Sequence, residues 1–128
     1  MPVKQKAKTN ETILLIGAGR MGGALLSGWL SKTDFAVAVV EPNPSADLRK
    51  LAKDKRVTLH NNVSDAPRAK ACVIAVKPQI LKTNAKDFAA IAQSGALMIS
   101  IAAGTRIAPL RKAFGKDARI VRAMPNLP

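Results

Sequence analysis

Hydrophobic residues in this chain fall either into short unbroken runs or into longer stretches where they recur every three or four positions. Residues 12–16, Thr-Ile-Leu-Leu-Ile, form such a run and end in a glycine, the pattern of a strand buried on both faces. From there Met21, Leu25, Leu26, Trp29 and Leu30 recur at helical spacing, so a helix follows the glycine turn directly. Ala36 to Val40 reads as a second buried strand that closes at Glu41. Pro42 and Pro44 stop it, Ser45 is placed to cap a new helix, and Leu48 and Leu51 give that helix an apolar side.

A weaker strand at Val57 to Leu59 leads through Asn61 and Asn62 to a short helical piece starting near Ser64. Ala71 to Val76 is clearer, and Pro78 fits the first turn of the helix predicted to follow, with Ile80, Leu81, Phe88 and Ile91 toward a core. Ala96 to Ile101 repeats the theme. Gly104 and Thr105 then introduce a helix containing Ile107, Leu110 and Phe114, and Ile120 with Val121 make a last strand. Such alternation predicts a single α/β domain of the Rossmann type: a doubly wound parallel sheet with helices on both faces and strand order 3-2-1-4-5-6. Parallel neighbours need crossovers, and these pack right-handedly. The domain is expected over residues 12–128, behind a frayed basic tail of residues 1–11.

At 128 residues and 48% hydrophobic content the chain suits one domain with a real core. No apolar run approaches the roughly 18 residues of a membrane span. The tail carries Lys4, Lys6 and Lys8 without the apolar segment of a secretory signal, so a soluble cytoplasmic protein with no membrane partner is expected. The single Cys72, among Ala71, Val73 and Ile74, reads as a buried strand residue in a reducing compartment. His60 stands alone and reads as structural, and no metal or nucleophile constellation is visible.

Charge introduces a competing class. Twenty-one Lys and Arg against 8 Asp and Glu give +13, which attracts polyanions. A nucleic-acid footprint would gather these residues, yet they are scattered from Arg49 to Lys116, with no Tyr, three Phe and one Trp for base stacking. Solvated helix faces and attraction for an anionic cofactor account for the charge instead. A non-catalytic module that binds nicotinamide cofactors or polyanions is the remaining alternative.

Gly17-Ala18-Gly19-Arg20-Met21-Gly22 fits G-x-G-x-x-G and lies between a predicted strand and helix. In that setting Gly17 permits the tight turn, Gly19 lets the backbone approach phosphate, and Gly22 lets helix and strand pack closely. The helix amino terminus offers free N–H groups to a pyrophosphate. Glu41 closes the second strand, where an acid can accept hydrogen bonds from both adenosine ribose hydroxyls. It favours NADH, since a 2′-phosphate would meet like charge, although Asn43, Ser45 and Arg49 lie near enough to reorient around one. An exposed strand-end glutamate is the plainer alternative.

Three further stretches follow predicted strands: Ala75-Val76-Lys77-Pro78, Ser100-Ile101-Ala102-Ala103-Gly104 and Arg122-Ala123-Met124-Pro125-Asn126. With the glycine loop they resemble pyrroline-5-carboxylate reductase, in the right order from about Ile13 to Pro128. The resemblance implies reduction of 1-pyrroline-5-carboxylate to L-proline with NAD(P)H. It also places Ala75 to Pro78 and Ile101, Ala102 and Ala103 along the cofactor toward the nicotinamide, and Asn62 near its adenosine end. Lys77 either neutralises phosphate or substrate carboxylate or simply caps a sheet edge. Asn126 marks the nicotinamide pocket or a turn.

Members of that family commonly use NADPH, a preference from which Glu41 departs. They continue past the stretch like Met124 to Pro128 into further sheet and a helical domain that binds substrate and makes the dimer. The resemblance therefore implies a cofactor half with little or no reductase activity alone, and a homo-oligomer only with that second part. Trp29 or other apolar residues are expected to be exposed where it would pack. Another imine or hydroxyacid reductase is the nearby alternative.

Overall fold

A computed structural model describes residues 12–101 and 106–124. The basic tail, Ala102, Ala103 and Asn126 lie outside the described residues. Six parallel strands, β1 (Thr12–Ile16), β2 (Ala36–Val40), β3 (Thr58–His60), β4 (Ala71–Ile74), β5 (Leu97–Ser100) and β6 (Arg119–Arg122), form one sheet in the order β3-β2-β1-β4-β5-β6. The helices between them are α1 (Arg20–Lys32), α2 (Ala46–Lys53), α3 (Pro78–Thr83), α4 (Ala85–Gln93) and α5 (Ile107–Phe114), with a 3-10 turn at Val63–Asp65. This is the Rossmann order that the alternation predicts.

The register sorts the strand residues into two cores. Leu14 pairs with Ala38 on one side and Cys72 on the other, Cys72 with Met98, and Met98 with Ile120. That row lies on one face with Leu81, Phe88, Ala92, Leu110 and Phe114 from α3, α4 and α5. One residue along, Leu15, Val39 and Val73 face the opposite way, against Leu26 of α1 and Leu48 of α2. Successive strand residues point to opposite faces, so unbroken apolar runs are what a sheet covered on both sides requires.

Local chemistry sets the element ends. Ser45 Oγ accepts from Leu48 N at 3.1 Å and caps α2. At its far end Lys55 adopts φ 62, while Lys55 N donates to Ala52 O at 3.0 Å and Arg56 N to Leu51 O at 2.9 Å, the paired bonds of a Schellman motif. Pro78 opens α3, where a missing N–H costs nothing.

Some details differ from the sequence expectation. The helix predicted after Pro78 is two helices, broken at Asn84, whose side chain donates to Ile80 O at 3.0 Å. Ile80 is 42% exposed rather than in the core. Leu81, Phe88 and Ala92 hold the buried face, and a residue next to Leu81 is turned about 100° from it. Ile107, which opens α5, is 39% exposed. The strand expected at Val57 starts one residue later, with Val57 buried just ahead of it.

Because every strand runs the same way, the helices return antiparallel to them and their carboxyl ends gather at the amino edge of the sheet. Arginines close many of the carbonyls there: Arg56 Nη2 donates to Leu30 O and Arg68 Nη2 to Ser94 O, each at 3.3 Å. Arg119 Nη2 donates to Gly95 O. Arg111 Nη1 donates to both Lys116 O and Ala118 O at 3.0 Å.

Candidate functional site

The opposite, carboxyl edge carries the glycine loop. Gly17 has φ +93, and a side chain there would strike Val76 Cγ1 at 2.7 Å and Ala75 O at 2.8 Å. A β-carbon on Gly22 would overlap the Gly17 carbonyl. Gly19 is different: nothing lies within 4 Å of a β-carbon built on it, and as the N-cap of α1 it has no side chain to spend on the helix amides. Two glycines therefore shape the loop, while the third leaves an open cradle over the amino end of α1, where unpaired N–H groups favour an anion. Arg20 and Met21 begin that helix, with Arg20 exposed and Met21 partly buried.

Beside the loop, the ends of β2 and β3 come together. Gly17 N donates to Val40 O at 2.9 Å and Glu41 N to His60 O at 3.0 Å. The Glu41 carboxylate turns toward the loop: Oε1 accepts from Ala18 N at 2.8 Å and Oε2 from Asn43 N at 3.1 Å. The sequence places Glu41 at this edge but gives no sign that Ala18 is its partner, since the two are 23 residues apart. Asn43 takes part through its backbone. Asn62 lies exposed just past β3, its side chain donating to Asp65 Oδ2 at 3.3 Å. The His60 ring meets Thr58 Oγ1, with Nε2 at 3.2 Å.

On the other side of the loop, Met21, Ala75, Val76, Lys77, Pro78 and Ile101 line a cleft of about 240 Å³. It joins the glycine loop to the ends of β4 and β5, with Ala75 N donating to Ile16 O at 2.8 Å and Ile101 N to Ile74 O at 3.1 Å. Lys77 is the exposed N-cap of α3. A larger groove of about 490 Å³ runs between α1 and α2 and meets the loop only through Ala18 and Gly19. Among the described residues no three His, Cys, Asp or Glu side chains are grouped as a metal ion would need, and no helix is long and apolar enough to cross a membrane.

Cys72 takes no part. It is fully buried within β4, and burial pushes its thiol up to about 12. Trp29 packs half-buried against the α1 and α2 core. The exposed large apolar residues at the carboxyl edge are instead Ile80, Ile107 and Met124, the last 69% exposed.

A parallel sheet in this order, with a glycine turn feeding a helix at its switch point, defines a Rossmann-type dinucleotide-binding domain. Residues 12–104 match the family described as NADP oxidoreductase coenzyme F420-dependent, and the chain belongs to that family of nicotinamide-dinucleotide oxidoreductases. It is 33% identical over 93% of its length to a pyrroline-5-carboxylate reductase of Haemophilus influenzae, and 34% identical over 93% to one of Vibrio alginolyticus. It covers 44% of each, so the chain spans about half the length of the curated relatives it matches. A solved pyrroline-5-carboxylate reductase of Coxiella burnetii superposes with TM-score 0.78 at 32% identity, over 93% of this chain and 45% of that one.

Proposed function

We propose that this chain is the cofactor-binding part of a pyrroline-5-carboxylate reductase, which in complete form reduces 1-pyrroline-5-carboxylate to L-proline. The observation that carries the reading is the meeting of the glycine loop, Ala75 to Pro78 and Ile101 around one cleft at the carboxyl edge, in a chain one-third identical to such reductases. The open space at Gly19 suits a pyrophosphate, so the residues present fit a dinucleotide.

When bound, the reduced nicotinamide supplies the hydride for the imine carbon. The chain's own part is to bind and orient. Loop amides from Gly19 to Gly22 hold the pyrophosphate. Glu41 faces the adenosine ribose, with the Asn43 backbone and Asn62 toward the adenosine end. Ala75, Val76, Lys77, Pro78 and Ile101 lie toward the nicotinamide; Ala102, Ala103 and Asn126, outside the described residues, are assigned to it by resemblance alone. The carboxylate of Glu41 favours NADH over NADPH, contrary to the cofactor in the family's description, because it would repel a 2′-phosphate.

The imine substrate and a homo-oligomer belong to the complete protein, and alone this chain has little or no reductase activity. Exposed Ile80, Ile107 and Met124 at the carboxyl edge of the sheet support a further part that packs there. We place the protein in the cytoplasm and assign it no nucleic-acid partner. Calorimetric titration with NADH and then NADPH, followed by 1-pyrroline-5-carboxylate, tests this. Binding of NADH more tightly than NADPH without turnover is expected, whereas a chain that binds neither dinucleotide is no cofactor domain.

A further inference from the structure

We propose that Glu41 is a positioning residue for the glycine loop itself, and that the loop therefore senses the 2′ position of the ribose through it. This rests on the cofactor reading above and adds a physical coupling to it. Gly17 and Ala18, the first two residues of the loop, give their N–H groups to the end of β2: one to the Val40 carbonyl, the other to the Glu41 carboxylate. The second carboxylate oxygen is held by Asn43 N. The side chain is thus fixed at both oxygens and spans from the β2 exit to the loop. The bond to Ala18 is charge-assisted and partly buried, the stronger kind of hydrogen bond.

Each carboxylate oxygen has a lone pair beyond the one its amide uses. Ribose hydroxyls can therefore donate to Glu41 while the Ala18 bond stays made. A 2′-phosphate cannot donate to a carboxylate and repels it, so NADPH fits only if the side chain swings away. Doing so strips Ala18 N of its partner and loosens the turn that presents Gly19. The penalty against a 2′-phosphate is then carried by the loop as well as by charge repulsion.

Two variants separate these effects. Glu41→Gln and Glu41→Ala both remove the charge, but only the glutamine keeps an oxygen for Ala18 N. Inorganic pyrophosphate, which has no ribose, is expected to bind Glu41→Gln about fivefold more tightly than Glu41→Ala, the worth of one neutral hydrogen bond. In the cofactor-free protein the Ala18 amide proton is expected to exchange at least tenfold faster in Glu41→Ala than in Glu41→Gln or the wild type, with amides in β1 and β4 unchanged. Saturating the wild-type chain with NADPH, but not NADH, is expected to speed the same proton.

Equal pyrophosphate affinity of the two variants, or an Ala18 amide indifferent to the alanine, would overturn the positioning role. An amide protected alike under both dinucleotides overturns the coupling. Failure of the wild type to bind either dinucleotide overturns the cofactor reading and the coupling together, while the cofactor-free exchange still decides whether Glu41 holds the loop.

Discussion

The carbonyl oxygen of Gly17 sits against the α-carbon of Gly22, so closely that a β-carbon there would overlap it, with Ala75 Cβ a further 3.4 Å neighbour. Gly22→Ala must therefore push backbone against backbone, and a loss of about 2 kcal/mol or more is expected, measured by urea unfolding. Gly19→Ala has open space around it and should cost less than about 1 kcal/mol. Its effect should fall on the ligand instead, with NADH binding at least about tenfold weaker because the backbone can no longer approach phosphate. If the two alanines lower stability alike, the division of labour between these glycines is wrong.

Phe88 of α4 and Phe114 of α5 pack with ring centroids 5.9 Å apart and an interplanar angle of 34°, both almost wholly buried. Replacing either by alanine should cost about 3–5 kcal/mol through lost transfer energy and an unfilled cavity. The double variant should lose less than the sum of the two, since the rings share one contact. Chemical denaturation of the three variants reads both.

Lys55 holds the left-handed position after α2 at φ 62, a conformation that costs an L-residue roughly 1 kcal/mol. Lys55→Gly keeps both bonds of the motif and relieves that cost. A rise in stability of up to about 1 kcal/mol is expected, seen as a higher melting temperature. No change would mean that the extra freedom of glycine in the unfolded chain cancels the gain.

The Cys72 thiol, pushed up to about 12 by burial, stays protonated in the fold at pH values where the unfolded chain ionises near 9. The folded state then binds more protons than the unfolded one. Stability is unaffected by this group below about pH 9 and falls as pH rises from there toward 12, by on the order of 1 kcal/mol per unit. Cys72→Ala should flatten that alkaline slope. A thiol reagent at pH 8 should label the native chain only through unfolding.

The strands were legible because a sheet covered on both faces demands unbroken apolar runs, and Leu14, Leu15, Val39, Cys72 and Met98 supply them. Glycine spacing located the loop for the same reason of close packing. Ile80 departs from its expected place because its neighbour Leu81 takes the buried face, and two adjacent aliphatic residues do not declare which will. The break at Asn84, where φ departs to -111, is a local backbone turn that periodicity cannot register. Glu41 could be placed at its edge, but its bond to Ala18 is a matter of tertiary register.

Arg56, Arg68, Arg111 and Arg119 each finish a carbonyl at the amino edge of the sheet. Part of the chain's positive excess is therefore mortar in the masonry, set where helix ends leave acceptors open. Anyone recolouring this surface toward neutrality has free choice among exposed lysines such as Lys53, Lys82 and Lys86. At the four arginines the same edit would unpick the joints between helices and strands.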